Sequence, residues 1–207
     1  MRFAYPVMLD VTERLVVIIG GGAVAARKAN TLLECGATRI RVVAPDMQAM
    51  LPASVVRVRE PYEARHLEGA QLVFAATDSA EVNDRVVRDA QERGVMVNRA
   101  DEGDPPGDFV VPARLQLGEI VLGVTAGSAA LAVSLRDHLA RFIDGRHTKM
   151  ALAMQTMRPL VRQRAAQERR SSIFRDLASR EALDVLDSGG ESALRTWISR
   201  KYPELKL

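Results

Sequence analysis

The residues best suited to chemistry lie in a glycine-rich turn near the N-terminus. Gly20 and Gly22 directly follow the apolar run Leu15–Ile19, and Ala25 completes the spacing G-x-G-x-x-[GA] at the start of a helical pattern. Glycine at the first position permits a tight turn, and glycine at the third lets a phosphate approach the backbone. The helix that begins there presents unpaired N–H groups and a partial positive charge. This context predicts a dinucleotide site, with a glycine turn that only packs as the alternative.

The residues after the next apolar runs bear on the choice of cofactor. An acid at the end of the second strand, about 20 residues past the glycines, usually accepts hydrogen bonds from the ribose. Asp46 is the first carboxylate there and no arginine follows it immediately, which favours NAD over NADP; a helix cap is its alternative role. Thr77 and Asp78 follow a later strand at the same predicted sheet edge, where ligands of open α/β folds bind. We interpret Asp78 as a helix cap.

A third candidate, Asp101, stands just past a strand predicted over residues 95–98. This position faces the same cleft, so its carboxylate is a candidate general base beside a nicotinamide ring. The residues alone favour an ordinary loop acid over this role, because Asp101 opens the segment DEGDPPGD with three further acids.

A series of short apolar runs and helical stretches positions these residues. Strands are predicted over residues 15–19, 40–43, 55–58, 72–76 and 95–97. Several are apolar at consecutive positions, as in parallel strands covered on both faces. One helix is predicted after the glycine turn, ending at Gly36, and another after Asp78, with Glu81 completing a capping box and Gly94 ending it. The pattern predicts an α/β fold, a Rossmann-type doubly wound parallel sheet.

The pattern changes after Asn98. Residues 101–108 are predicted to form a loop, and the runs 109–111 and 120–124, on either side of Gly118-Glu119, a strand pair that closes the sheet edge. From about residue 129 the period is helical, with breaks at Asp144-Gly145, Pro159 and residues 188–190. We therefore expect a domain boundary near residues 112–125.

Composition narrows the class of protein further. The single cysteine, Cys35, excludes an internal disulfide and any zinc site built on several cysteines, and no apolar run is long enough for a membrane span. We expect a cytoplasmic protein. The net charge of +3 hides eleven Lys and Arg against four acids over residues 136–180. This excess suits a polyanionic partner, although charge alone favours a solvated helical face.

Taken together, these motifs resemble one enzyme family. The segment YPVMLD at residues 5–10, the run GGGAVAARKANTLLECGA from Gly20, AATD at 75–78, NRAD at 98–101 and FVVP at 109–112 are similar to precorrin-2 dehydrogenase. In some members this module of siroheme synthase is also a sirohydrochlorin ferrochelatase. The resemblance covers roughly residues 5–165 and implies NAD-dependent oxidation of precorrin-2. It also implies a homodimer with an NAD-binding domain (1–112), a dimerisation segment (113–145) and a helical C-terminal domain (146–207).

The resemblance assigns roles residue by residue. Ala23 and Val24 match the pyrophosphate turn, and Pro45 with Asp46 match the adenosine side. Asp101 matches the catalytic acid/base.

Further candidates concern the substrate. Ser128 matches a serine that begins a helix, where it can cap and meet a carboxylate, and Asn98 belongs to the matching NRAD motif. Arg136 and Arg141 are candidates for the acetate and propionate groups of the substrate, with surface or dimer contacts as the alternative. The turn at 124–132 is shorter than is usual in the family, with Ala129 in place of a proline.

No resident metal is expected, because the three histidines have no ligand spacing; ferrous iron would be a substrate of a chelatase. We expect neither nucleic acid nor membrane as a partner of the enzyme. The competing hypothesis is a non-catalytic NAD-sensing domain whose basic helical tail binds nucleic acid or a protein.

Overall fold

The computed structural model describes residues 5–47, 50–101, 103–104 and 106–206. Glu102 and Pro105 of the predicted loop lie outside the described residues. The chain divides into two compact units, Met1–Val111 and Pro112–Leu207. No helix within the described ranges has both the length and the apolar character that a membrane span requires.

The first unit contains a parallel sheet of five strands. These are β1 (Leu15–Ile19), β2 (Arg39–Val43), β3 (Val56–Val58), β4 (Leu72–Ala75) and β5 (Met96–Arg99). Their order is β3-β2-β1-β4-β5, and every pairing is parallel. The chain starts in the centre, builds one side and then crosses to the other, which confirms the predicted doubly wound α/β fold.

Two helices cover the sheet, α1 (Ala23–Glu34) and α2 (Ala80–Glu92). Alternate residues of β1 supply two cores, because side chains in a strand alternate between faces. Val16 and Ile18 pack in the core that contains buried alanines of α1, whereas Val17 and Ile19 pack with valines of α2. Burial on both faces explains why the strands read as continuous apolar runs.

The predicted cap of α2 is wrong by one residue. Ser79, not Asp78, occupies the N-cap position, and its side chain accepts a hydrogen bond from the backbone N–H of Val82. Asp78 stays exposed in the turn before the helix. Both residue types are good caps, so the letters alone do not choose between neighbours.

The strand predicted over residues 120–124 is confirmed, but its predicted partner and its place at the edge of the parallel sheet are wrong. β6 (Ala113–Leu117) and β7 (Ile120–Val124) form a separate two-stranded antiparallel sheet, joined through Gly118 at φ 54°. Residues 109–111 form no strand. Phe109 instead packs edge-on against Phe74 of β4, with ring centroids 5.7 Å apart. An apolar run thus serves packing here rather than pairing.

The second unit continues as helices α3 (Ala129–Ala140), α4 (Gly145–Arg164), α5 (Gln167–Leu177) and α6 (Arg180–Lys201). Asp144 caps α4, as the break at 144–145 suggested. Pro159 does not end α4, which continues to Arg164. Gly190 leaves helical geometry within α6, at φ 69° and ψ −169°, so the predicted break is a kink. Buried side chains of α4, α5 and α6 form the core of this unit.

Candidate active site

The glycine turn is shaped by close backbone contacts. Gly20 has φ 126° and donates a backbone hydrogen bond to Val43 O at 2.9 Å, which ties the turn to the end of β2. A Cβ on Gly20 would overlap the carbonyl of Ala76, at the end of β4. Any side chain here is therefore excluded by both conformation and space.

Gly21 has a role that the sequence motif leaves undefined. A Cβ at this position would overlap the carbonyl oxygen of Asp46 and come within 3.0 Å of the Ala44 Cβ. The glycine therefore lets the chain after β2 close directly on the turn. The signal for this role was that the middle position of G-x-G, which the motif leaves open to any residue, is also glycine here.

Space opens at the start of α1. Gly22 is the N-cap, no side chain caps the helix, and a Cβ built on Gly22 would meet no atom within 4 Å. Ala23 and Val24 are exposed in the first turn, and Ala25 is buried against the sheet. An uncapped helix start with free space beside a glycine fits a dinucleotide pyrophosphate.

Polar groups border this turn on two strands. Pro45 and Asp46 are exposed just after β2. After β4, the Thr77 hydroxyl lies 2.8 Å from Oδ1 of Asn83, and the Asn83 amide nitrogen donates to Thr77 O at 3.2 Å. Asn83 is fully buried, so this network fixes the backbone of the turn that carries Thr77.

Asp101 follows β5 at the same edge and is held by Arg99. Nε and one terminal nitrogen of the guanidinium lie 2.8 and 3.0 Å from the two carboxylate oxygens. The Asp101 side chain is 35% exposed and that of Arg99 only 2%. Hydrogen bonding from Arg99 holds the pKa of Asp101 below its usual range; burial opposes this shift, and a hydrogen bond from Asn83 adds to it.

Sequence reasoning missed Arg99 as a functional residue. Another terminal nitrogen of its guanidinium lies 2.6 Å from Asp84 on α2. The available signal was an arginine at the end of a buried strand, a position where a charge needs partners.

Asn98 lies at the core of the same region and is 4% exposed. Its Oδ1 accepts from Lys28 Nζ at 2.9 Å, and its Nδ2 donates to Phe109 O at 2.9 Å. Burial lowers the pKa of Lys28 to about 8. A direct substrate contact through the Asn98 side chain would require one of these bonds to be exchanged.

The remaining candidates lie in the second unit. Ser128 is the N-cap of α3, and its hydroxyl accepts from the Leu131 N–H at 3.2 Å. Arg136 pairs with the adjacent Asp137 at 2.6 Å, whereas Arg141 is the exposed C-cap of the same helix. Among the residues that the structure describes, no group of three or more His, Cys, Asp or Glu could hold a metal ion.

The first unit thus brings the glycine turn, Asp46, Thr77 and Asp101 to one edge of the sheet, at the carboxyl ends of its strands. Ligands of doubly wound sheets bind at this edge. The fold and the turn define a dinucleotide-binding domain of the Rossmann type. A family model described as "Putative NAD(P)-binding" matches residues 7–113, more than half of the chain, and the chain belongs to this family. The match supports NAD as the cofactor.

Individual relatives agree with this class. The chain is 33% identical over 206 residues to a siroheme synthase of Methylobacillus flagellatus, covering 94% of this chain and 44% of the relative. For a siroheme synthase of Nitrosomonas eutropha the identity is 32%, with 94% and 42% covered. The chain therefore spans less than half the length of these relatives. The structure of SirC, a precorrin-2 dehydrogenase, has a TM-score of 0.75 and 22% identity, with 95% of this chain and 100% of that chain covered, and so shares the fold.

Proposed function

We propose that the chain is an NAD-dependent dehydrogenase that oxidises precorrin-2 to sirohydrochlorin in siroheme synthesis. The observation that carries the proposal is the carboxylate of Asp101, held ionised by Arg99 at the same sheet edge as the open glycine turn. The names of the relatives support the tetrapyrrole substrate.

The reaction removes one hydride and one proton from the macrocycle and leaves a new double bond. NAD⁺ supplies the hydride acceptor when it is bound. Asp101 accepts the proton on a carboxylate oxygen. Its low pKa ensures that this oxygen is unprotonated at neutral pH, as a base must be.

The cofactor-binding roles follow from the turn. The backbone N–H groups of Ala23 and Val24 bind the pyrophosphate, because no side chain caps this helix start. Asp46, with Pro45 beside it, binds the ribose hydroxyls of the adenosine, so NAD is preferred over NADP. Thr77 borders the nicotinamide side at the end of β4.

We also propose substrate-binding roles for Asn98 and, in the second unit, for Ser128, Arg136 and Arg141. Arg136 and Arg141 bind the carboxylates of precorrin-2, and the helix start at Ser128 accepts another. Asn98, three residues before Asp101, is proposed to contact the substrate. Arg136 must exchange its partner Asp137 for the substrate.

The assembly that we propose is a homodimer formed through the segment 113–145. Several large apolar side chains of α3 and the residues after it are exposed: Leu131, Val133, Leu135, Leu139 and Phe142. Phe142 is 77% exposed. Exposed groups of large apolar side chains often mark protein–protein interfaces. The flanking domains are 1–112 and 146–207. Sedimentation should give a dimer for the wild type and a monomer for Phe142→Arg; a wild-type monomer contradicts this assembly.

Two finer proposals concern metal and location. Ferrous iron is a second substrate if the chain also inserts metal into sirohydrochlorin. Insertion releases two pyrrole N–H protons, and Asp101 would then accept them one at a time and pass each to water. A metal-insertion assay on sirohydrochlorin tests this separately. We also infer that the chain works in the cytoplasm, where its cysteine stays reduced.

The decisive experiment measures NADH formation with precorrin-2. Asp101→Asn removes the proton acceptor while keeping the shape, and should lower kcat by about 100-fold or more with little change in NAD affinity. The matched control is Asp104→Asn, an exposed acid in the same loop. Equal effects of the two changes, or no NADH from the wild type, contradict the proposal. Steep salt-dependent binding of nucleic acid without turnover would favour the sensor hypothesis instead.

A further inference from the structure

Asp101 belongs to a chain of three charges. The guanidinium of Arg99 lies between two carboxylates, with the Asp101 oxygens at 2.8 and 3.0 Å and an Asp84 oxygen at 2.6 Å. The third partner of the guanidinium is the carbonyl oxygen of Ala80 in the first turn of α2, at the longer distance of 3.5 Å. The arginine therefore joins the end of β5 to the start of α2.

The surroundings fix this guanidinium in place. Its side chain is 2% exposed, and a Cβ on Gly103 would overlap it, so the backbone of the loop lies directly on the charge. A buried guanidinium that loses its partners is costly, because little water replaces them. Arg99 must therefore keep at least one carboxylate throughout any reaction.

Proton uptake by Asp101 would remove one of these two charges. Asp84 offsets this loss, since its carboxylate contacts the opposite side of the guanidinium at 2.6 Å and is 29% exposed. With Asp84 present, neutral Asp101 leaves an Arg99–Asp84 ion pair behind.

We propose that Arg99 and Asp84 are positioning residues for the reaction: Arg99 holds Asp101 ionised and in place, and Asp84 compensates Arg99 when Asp101 takes up a proton. This inference rests on the proposed function of Asp101 as the base. It adds two residues on two different elements that never need to touch substrate or cofactor.

The groups that face Asp101 predict opposite effects of two substitutions. Arg99 approaches from β5 and Asn83 from α2, with Asp84 of α2 behind the guanidinium. Removing the cation in Arg99→Gln leaves two carboxylates near each other, which raises the pKa of Asp101. Adding Asp84→Asn removes the like charge and lowers that pKa again.

The experiment titrates the Asp101 carboxyl by carbon-13 NMR and measures kcat/KM against pH in the same variants. We expect the Asp101 midpoint to rise by about 1 to 2 pH units in Arg99→Gln and to fall back by at least about half a unit in the double variant. The acid limb of the rate profile should move with it, because the active form is ionised. Glu92→Gln, at the other end of α2, is the matched charge control and should change neither midpoint nor limb.

Folding is checked by NAD affinity and by the unfolding midpoint, and Arg99→Lys provides a milder variant that keeps the charge but loses the fork. An Asp101 midpoint that stays within about 0.3 units of wild type in both Arg99 variants overturns the inference. So does a double variant whose midpoint stays as high as that of Arg99→Gln. If the NMR midpoints shift as expected while the rate profile does not follow, Asp101 is not the base, and the proposed function fails while the charge arrangement stands.

Discussion

The two ends of the candidate site differ in the groups that form them: backbone at one end and side chains at the other. At β1 and α1 the site is backbone: Gly20 and Gly21 make room, and the helix start offers N–H groups. At β5 it is a set of side chains, in which Arg99 holds Asp101 and Asp84. Binding a pyrophosphate needs only the absence of side chains and the dipole of a helix, whereas a proton acceptor needs a carboxylate with controlled charge.

This difference decides how each end fails. At Gly20 and Gly21 the backbone end tolerates no added side chain, because carbonyl groups just past the ends of β4 and β2 occupy the space. The side-chain end is sensitive to charge rather than to volume. Substitutions at the two ends should therefore separate cofactor binding from proton transfer.

The largest effect is expected at the backbone end. Gly20→Ala places a Cβ on the Ala76 carbonyl and forces φ 126° on a residue that disfavours it, so NAD affinity should fall by about 100-fold and stability by about 1 to 3 kcal/mol. Isothermal titration and urea unfolding measure the two quantities.

The matched control is Gly94→Ala, at φ 65° after α2 with no atom within 4 Å of the added Cβ. It carries the strain of a positive φ without crowding the turn, so it should lose stability and keep its NAD affinity. If both variants bind NAD equally well, the glycine turn is not the cofactor site.

A smaller effect is expected at Asp46, where the backbone end meets a side chain. Asp46→Asn keeps the shape and removes the charge that excludes a 2′-phosphate, so the preference for NAD over NADP should narrow by about tenfold. The ratio of the two dissociation constants measures it. Asp78→Asn, another exposed acid at the same edge, should leave the ratio unchanged. If Asp46→Asn still prefers NAD over NADP as strongly as wild type does, other residues determine the choice of cofactor.

The same contrast explains what could be predicted from sequence. The parallel strands and the glycine turn were predictable, because burial on both faces and a fixed spacing leave a local pattern. The role of Phe109 was not, since the apolar run at residues 109–111 suits a strand and a packing segment equally well.

The side-chain end was predictable only in part. Asp101 stands two residues after Arg99 in the sequence, but the second partner of Arg99, Asp84, is 15 residues before it and on another element. No local pattern specifies which of several acids on α2 meets a buried guanidinium. The N-cap of α2 was predicted at Asp78 instead of Ser79 for a similar reason, because both neighbouring residue types cap helices well.

The smallest effect is expected at Lys28, which joins the two ends. Lys28 lies on α1, which begins at the glycine turn, and its Nζ donates to Asn98 on β5, which leads to Asp101. Burial lowers its pKa to about 8 in the folded chain, so the unfolded chain holds this proton more tightly. The free energy of unfolding should therefore rise with pH above 8, by less than about 1.4 kcal/mol per pH unit because the ammonium keeps some contact with water.

Urea unfolding at pH 7.5 and 9.5 measures the rise as the difference between wild type and Lys28→Met, in which it should disappear. Arg27→Met removes the positive charge that lowers the pKa of Lys28 less than burial does, so it should reduce the rise without abolishing it. A rise of equal size in Lys28→Met would mean that another group titrates, and that the bond between the two ends does not depend on the charge of Lys28.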